Sequence, residues 1–382
     1  MSTAGEILAR IGREADELGL AHAGALLELD ETAAAKRALR LLGDSGLAAW
    51  MVPAAFGGAD AKGLVPADTV SVRAVSALRR SLAYRSAMLD VMLVMQGLGS
   101  FALTRAADPA IARDLLPRVA RGELCAAFAL TEPGAGSSLA DVELRASRTA
   151  SGWSLSGHKT FISNAGIADF YTVLARTADA PKTFTMFCVQ ASSPGLRTER
   201  FEVLGAHPIG DVYFEDVQVA DSARLGELGN GIELALLVLA RMRTSVAAAA
   251  NGFARRAFDE SRRHLLARQQ FGKPLATMQG LAFDIAEMDT RLRAAELLVD
   301  EAAQAVDRGG DSTLEVARAK LFATENAGWV CDRAVQHFGG LGVKRGEVVE
   351  ALYRDVRALR IYEGSSEVQK MILAKELFRR SS

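Results

Sequence analysis

Apolar positions recur at two different periods along the chain, and the changes of period divide it. From residue 1 to about 123 the spacing is helical, interrupted by short breaks. AAAKRALRLLGDSGLAAW (33–50) keeps that spacing until Gly43 and Gly46 interrupt it, and VPAAFGG (52–58) is a loop with proline and paired glycine. MLDVMLVM (88–95) sets Met88, Met92 and Met95 on one helical face. Two readings of that stripe stand: gap-filling core, or a flexible apolar pocket wall.

Near residue 124 the pattern shortens. LCAAFAL, GWSLSGHKTFIS, FYTVLAR, TFTMFCVQA and VYFEDVQV are β-prone runs separated by Gly, Pro, Ser and Asp, with Ser151-Gly152 at a hairpin turn. From Gly231 onward long helical patterns return. They span about 231–267, then Thr277 to Arg308-Gly309-Gly310, then Ser312 to FGGLG (338–342), with a last one after Glu363. Ser312-x-x-Glu315 and Ser366-x-x-Gln369 read as capping boxes for the last two. The expected class is α+β, mainly α. It comprises an N-terminal helical domain (1–123), a central antiparallel β-domain (124–227) and a C-terminal domain like a four-helix bundle (228–382). This is not the strand–helix alternation of a dinucleotide-binding sheet.

Composition narrows the function by exclusion. The chain has 382 residues, 49% hydrophobic and 24% charged, with net charge −1. That is ordinary for a globular protein and gives no electrostatic case for nucleic acid or a membrane surface. No uninterrupted apolar run approaches the roughly 18 residues of a membrane span. The N-terminus carries acids from Glu6 and lacks an apolar leader core, so the cytoplasm is the expected location. Cys125, Cys188 and Cys331 stand far apart, and the five histidines show no metal-binding spacing, so no metal site is expected.

Gly-rich pieces do not make a nucleotide loop. GAGSSL (134–139) and GLGVKR (340–345) lack the third glycine of a dinucleotide fingerprint. GWSLSGHKT (152–160) has His158 where a phosphate loop needs lysine. No GxSxG is present to seat a hydrolase serine. What remains is a set of separated features. ALTEPGAGSS (129–138) offers backbone N–H groups and the hydroxyls of Thr131, Ser137 and Ser138. TFIS (160–163) presents Phe161 beside Ser163, Arg268 follows a long helix, and Glu363 precedes another. Singly, each also reads as structural: a turn, a core aromatic, a helix-end cation, a solvated acid.

Together they resemble the acyl-CoA dehydrogenase family along most of the chain. LLPRVARGE and FALTEPGAGSS (115–138), GWSLSGHKTFISNA (152–165), RQQFGKP (268–274), VQHFGGLG (335–342) and YRDVRALRIYEGSSEVQK (353–370) follow in family order. The resemblance implies helical, β and helical domains, FAD bound noncovalently, and a homotetramer. It also implies an acyl-CoA substrate in fatty acid or acyl-CoA catabolism, and an electron-transfer flavoprotein as acceptor.

By the same resemblance, Thr131 meets the pyrimidine edge of the flavin, Phe161 packs beside its ring, Ile162 belongs to the cofactor-binding set, and the Ser163 hydroxyl faces its redox-active nitrogen. Ser137 serves both cofactor and substrate. Arg268, Gln270 and Phe271 reach the FAD of a neighbouring subunit, and Gln336 through Gly339 and Gly340 close over the adenine end. Ser365 and Glu367 stand on the cofactor side, and Arg243, Tyr362 and Gly364 on the substrate side. Glu363 takes the position of the base that removes the α-proton of the thioester while the β-hydride goes to the flavin. A subset of the family carries its base just before the arginine matching Arg243; here that residue is Met242, which cannot accept a proton.

Several positions depart from the family pattern. Ser138 replaces a common aspartate, Phe161 a more frequent tryptophan, and Glu367 a usual glutamine. Ala240 stands where some relatives carry an aspartate, and LGAHPIGD (204–211) lacks a common arginine. Other readings therefore stay open beside the dehydrogenase: a flavin oxidase or monooxygenase, a dehydrogenase of carrier-protein thioesters, or a silent protein that kept the fold.

Overall fold

The computed structural model describes residues 3–61, 63–177 and 183–380. Ahead of the sheet lie α1 (Ala4–Leu27), α2 (Glu31–Asp44), α3 (Val72–Arg85), α4 (Ala87–Ala106) and α5 (Pro109–Ala120). Side chains fix where they start. Thr3 forms a capping box with Glu6, and Asp30, Ser71, Ser86 and Asp108 each accept a first-turn N–H of the helix that follows. Helix α4 is long and apolar enough to cross a membrane, yet 89% of that stretch is buried inside the protein. Met88, Met92 and Met95 lie in this core.

The sheet holds β1 (Ala126–Ala129), β2 (Arg145–Arg148), β3 (Gly152–Ser163), β4 (Phe170–Arg176), β5 (Phe184–Gln190), β6 (Leu196–Arg200), β7 (Ile209–Ala220) and β8 (Arg224–Leu225). Its order is β6-β7-β3-β2-β4-β5-β8, with β1 attached to β4. The long β3–β7 and β4–β5 ladders are antiparallel, as the sequence predicts. A fully antiparallel sheet is not what forms, however: β1 lies parallel to β4, and β2 meets β4 in parallel at Arg145–Arg176. A parallel neighbour needs a crossover connection, and the β2–β3 hairpin is part of it. The alternation of short strands carries no information about direction.

Beyond the sheet follow α6 (Gly231–Ala267), a hairpin of β9 (Gln269–Gln270) and β10 (Lys273–Pro274), α7 (Gln279–Arg308), α8 (Thr313–Phe338), α9 (Val348–Arg357) and α10 (Ser366–Arg380). Alanines dominate where α6, α7 and α8 meet, among them Ala250, Ala254, Ala302, Ala323 and Ala327. Close helix approach is also needed where α6 crosses α3. A Cβ on Gly252 would stand 2.3 Å from the Arg80 carbonyl oxygen.

Both predicted capping boxes are corrected. Ser312 (φ −118°, ψ 18°) makes no side-chain cap, and Asp311 Oδ1 accepts from Thr313 N instead. Ser366 lies inside α10 with its hydroxyl donating to Glu325, while Ser365 Oγ accepts from Val368 N at 3.4 Å. The cap is one residue earlier than predicted.

Candidate active site

Glu363 sits in the short turn between α9 and α10, with a left-handed backbone (φ +53°) followed by Gly364 at φ +94°. A bulky side chain rarely adopts this conformation without surrounding structure that holds it there. Among the described residues the non-glycine cases are Phe161, Asn164, Asp216, Phe271 and Glu363. Phe161, Phe271 and Glu363 are also residues picked out by sequence.

Several hydrogen bonds hold the Glu363 turn. Arg243 Nε, from α6, donates to the Glu363 carbonyl at 2.8 Å. Lys320 Nζ, from α8, donates to the Gly364 carbonyl at 2.8 Å, and Gln369 Nε2 reaches the same oxygen at 3.0 Å. On the flank, Glu325 accepts from Ser366 Oγ at 2.5 Å and from Arg360 Nη1 at 3.0 Å. Arg243, read from sequence as a substrate contact, thus grips the backbone of Glu363.

The Glu363 carboxyl is sunk in the protein. Its Oε2 is shut off from solvent and takes no hydrogen bond. Burial raises its pKa above the usual carboxylate value, against the pull of Arg79, Arg243 and Lys320. A helix start alone favours the charged form; here desolvation outweighs it. Tyr362 packs against the C-terminal core, and burial pushes its phenol pKa up.

Behind this turn lies an ion pair that the sequence reading missed. Arg79 of α3 donates to Asp90 of α4 through Nε and Nη2 at 2.8 and 2.7 Å, and to Ser245 Oγ of α6 at 3.0 Å. Arg79 is 1% exposed and Asp90 4%. The signal was available: Arg79 follows Val75 by one helical turn on a buried face, as Lys320 follows Ala317.

A second group lies on the sheet. Lys159 of β3 is fully buried and donates to Glu132 Oε1 and the Leu130 carbonyl, both at 2.8 Å. Glu132 also accepts from the N–H groups of Glu143 and Leu144. These contacts pin the 130–138 loop to β3, and Thr160 N donates to the Thr131 carbonyl. Thr131 is therefore a neighbour of Phe161. A register shift between Lys159 and Ile162 makes a bulge at Phe161. Bulges re-aim side chains, and here Phe161 is 60% exposed while Ile162 is buried. Phe161 meets Phe201 edge-on at 5.1 Å. Ser163 shares a hydrogen bond with His207. Ser137 is exposed, and around Gly134 and Gly136 a Cβ would meet nothing.

A third group sits at the other end of the helical domain. Phe271 and Gly272 form the turn of the β9–β10 hairpin with φ +51° and +76°, leaving Phe271 90% exposed. Arg268 and Gln270 are exposed beside it, as are Gln336, Gly339 and Gly340 at the end of α8. His264 stacks on Phe338 at 4.2 Å and ties the two helix ends together. Arg243 on α6 and Arg268 just past its end are twenty-five residues apart, about 37 Å along the helix axis. One chain therefore keeps the Glu363 and Arg268 groups apart. Ser365 caps α10 and Glu367 is exposed on its first turn.

An exposed aromatic on a bulge, an open glycine loop beside it and an unbonded buried carboxyl suit a planar cofactor and a substrate lying against it. The chain also resembles known proteins. A family profile described as acyl-CoA dehydrogenase, C-terminal domain, matches residues 229–378, and one described as acyl-CoA dehydrogenase, middle domain, matches 127–217. The chain is 33% identical over 348 residues to a cyclohexane-1-carbonyl-CoA dehydrogenase of Geobacter metallireducens, covering 90% of each. It is 37% identical over 274 residues to a caffeyl-CoA reductase–Etf complex subunit of Acetobacterium woodii, covering 69% of this chain and 71% of the other. The solved butyryl-CoA dehydrogenase of Megasphaera elsdenii superposes with a TM-score of 0.90 over 98% of both chains at 29% identity. The chain belongs to the acyl-CoA dehydrogenase family, FAD-dependent flavoenzymes that act on CH–CH bonds of CoA thioesters.

Proposed function

We propose that this enzyme desaturates an acyl-CoA between Cα and Cβ, with Glu363 as the base. The observation that carries this reading is the Glu363 carboxyl, held on a left-handed turn with a buried Oε2 that no donor occupies. The α C–H bond breaks toward that carboxylate. The β-hydrogen leaves with its electron pair, and a Cα=Cβ bond remains. Bound FAD supplies the acceptor for that hydride. Thr131, Phe161, Ile162 and Ser163 would hold its flavin end, with Ser137, Ser365 and Glu367 on the flanks. The raised pKa of Glu363 makes it a stronger base than an exposed glutamate, and an apolar acyl chain over it excludes water. Tyr362 and Gly364 shape the substrate side, and the Glu363 N–H serves as a donor to the thioester oxygen.

The same reading makes the enzyme an oligomer, a homotetramer built from dimers. Arg268, Gln270 and Phe271 would serve the FAD of a neighbouring copy, since the α6 end that carries them lies about 37 Å from Arg243 along the helix axis, and Gln336, Gly339 and Gly340 would close over the adenine end. Domain limits at 123/124 and 227/228, an electron-transfer flavoprotein as acceptor and a cytoplasmic location complete the proposal. The resemblance to an Etf-complex subunit supports the acceptor, and three buried free cysteines suit a reducing compartment. The same relative is a reductase, so Glu363 protonating Cα in the reverse direction is the second reading.

Anaerobic titration of the purified protein with butyryl-, glutaryl- and cyclohexane-1-carbonyl-CoA, following flavin absorbance, tests this. Bleaching by one of them is expected, with Glu363→Gln binding the same thioester without bleaching. Equal bleaching in Glu363→Gln removes the base assignment. A flavoprotein that no thioester reduces removes the substrate class.

A further inference from the structure

Lys320 is the least expected residue near Glu363. It is fully buried on α8, where desolvating an ammonium is costly. Its Nζ makes one hydrogen bond among the described residues, to the Gly364 carbonyl. The carboxylate next door keeps Oε2 unoccupied. A cation bonded directly to that oxygen would compete for the lone pair that must take a proton. Bonded to the adjacent carbonyl, it supplies field without blocking the oxygen.

The charges facing Glu363 come from each element packed on it: Arg79 of α3, Asp90 of α4, Arg243 of α6 and Lys320 of α8, with Tyr362 beside it. Asp90 compensates Arg79 through two hydrogen bonds. Arg243 and Lys320 are left as the cations that bond the turn itself, one on the carbonyl of residue 363 and one on that of 364. Lys320 in turn faces Glu325 and Glu367, which favour its charge, and Arg243, which opposes it.

We infer that Lys320 is a positioning residue for the base: through Gly364 it holds the left-handed turn, and its charge keeps the buried Glu363 carboxylate ionised with Oε2 free. This rests on the reading of Glu363 as the base. Burial brings the Lys320 pKa down to about 8, although Glu363 pulls it up, so the charge is present at neutral pH and fades in mild alkali.

The test uses FAD-loaded enzyme without substrate. Infrared difference spectra across pH follow the Glu363 carboxyl band, assigned by its loss in Glu363→Gln. Lys320→Arg should titrate like wild type, whereas Lys320→Gln and Lys320→Met should protonate Glu363 about one pH unit or more higher. The acid limb of flavin bleaching by an acyl-CoA should move by the same amount. Lys320→Gln keeps a hydrogen-bond donor, so it separates lost charge from a lost contact. An unmoved carboxyl pKa in a folded Lys320→Gln or Lys320→Met overturns the inference. Bleaching of Glu363→Gln at the wild-type rate would instead defeat the base assignment and leave the Lys320 coupling standing.

Discussion

Ser163 Oγ and His207 Nε2 share a hydrogen bond of 2.7 Å that joins the end of β3 to the loop leading into β7. Glu31 Oε1 accepts from His207 N at 2.9 Å, so the loop is tied to α2 as well. Burial brings the imidazole pKa down to about 4. The folded protein therefore holds His207 neutral, while the unfolded chain protonates it near 6.5. Its stability contribution is complete above about 6.5 and is lost as pH falls toward 4. Urea midpoints at pH 7 and 4.5 should fall further for wild type than for His207→Gln. Equal falls would place the acid sensitivity elsewhere.

The Arg79–Asp90 pair makes a second prediction. Removing one partner leaves a buried charge, so Arg79→Met should lower stability by about 3–5 kcal/mol. Replacing both, as Arg79→Met with Asp90→Leu, should recover most of that loss. Chemical denaturation of both variants checks it, and a double variant as weak as the single one would contradict it.

Lys159 and Glu132 pin the glycine loop to β3. Lys159→Met should cost about 3–5 kcal/mol for the stranded carboxylate and weaken FAD retention, because Thr131 loses its mooring. The ratio of flavin to protein after gel filtration measures this. A destabilised variant that keeps full flavin would separate the loop from the cofactor.

Phe271 occupies a turn position that asparagine fills more easily. Phe271→Asn should leave the folded chain as stable or a few tenths of a kcal/mol more so, yet weaken assembly if the ring reaches another copy. Sedimentation velocity reads the outcome. Unchanged assembly would make the exposed ring dispensable for subunit contact.

The helical spacing of apolar residues located α6, α7 and α8 closely, because a long amphipathic stripe is read from many residues at once. Ser312 and Ser366 misled because a capping motif states which atoms could bond, and competing partners decide: Asp311 took one N–H, and Glu325 took one hydroxyl. Strand direction was invisible, so the parallel β1–β4 pair came only with the fold. In the candidate site, Glu363, Phe161 and Phe271 stood out only through the family resemblance, and all three turn out to hold left-handed backbone. Lys320, Arg79 and His207 did not stand out, since each acts through a residue distant in sequence. A cation on a buried helical face was the legible hint for the first two.

The length of α6 between Arg243 and Arg268 has a genetic consequence. Under the shared-site assembly proposed above, each centre takes its base from one chain and its Arg268 group from another. Co-expressing Glu363→Gln chains with Arg268→Ala chains would then build hybrid pairs in which one centre carries both lesions and the other carries none. Two alleles that each fail alone would complement one another.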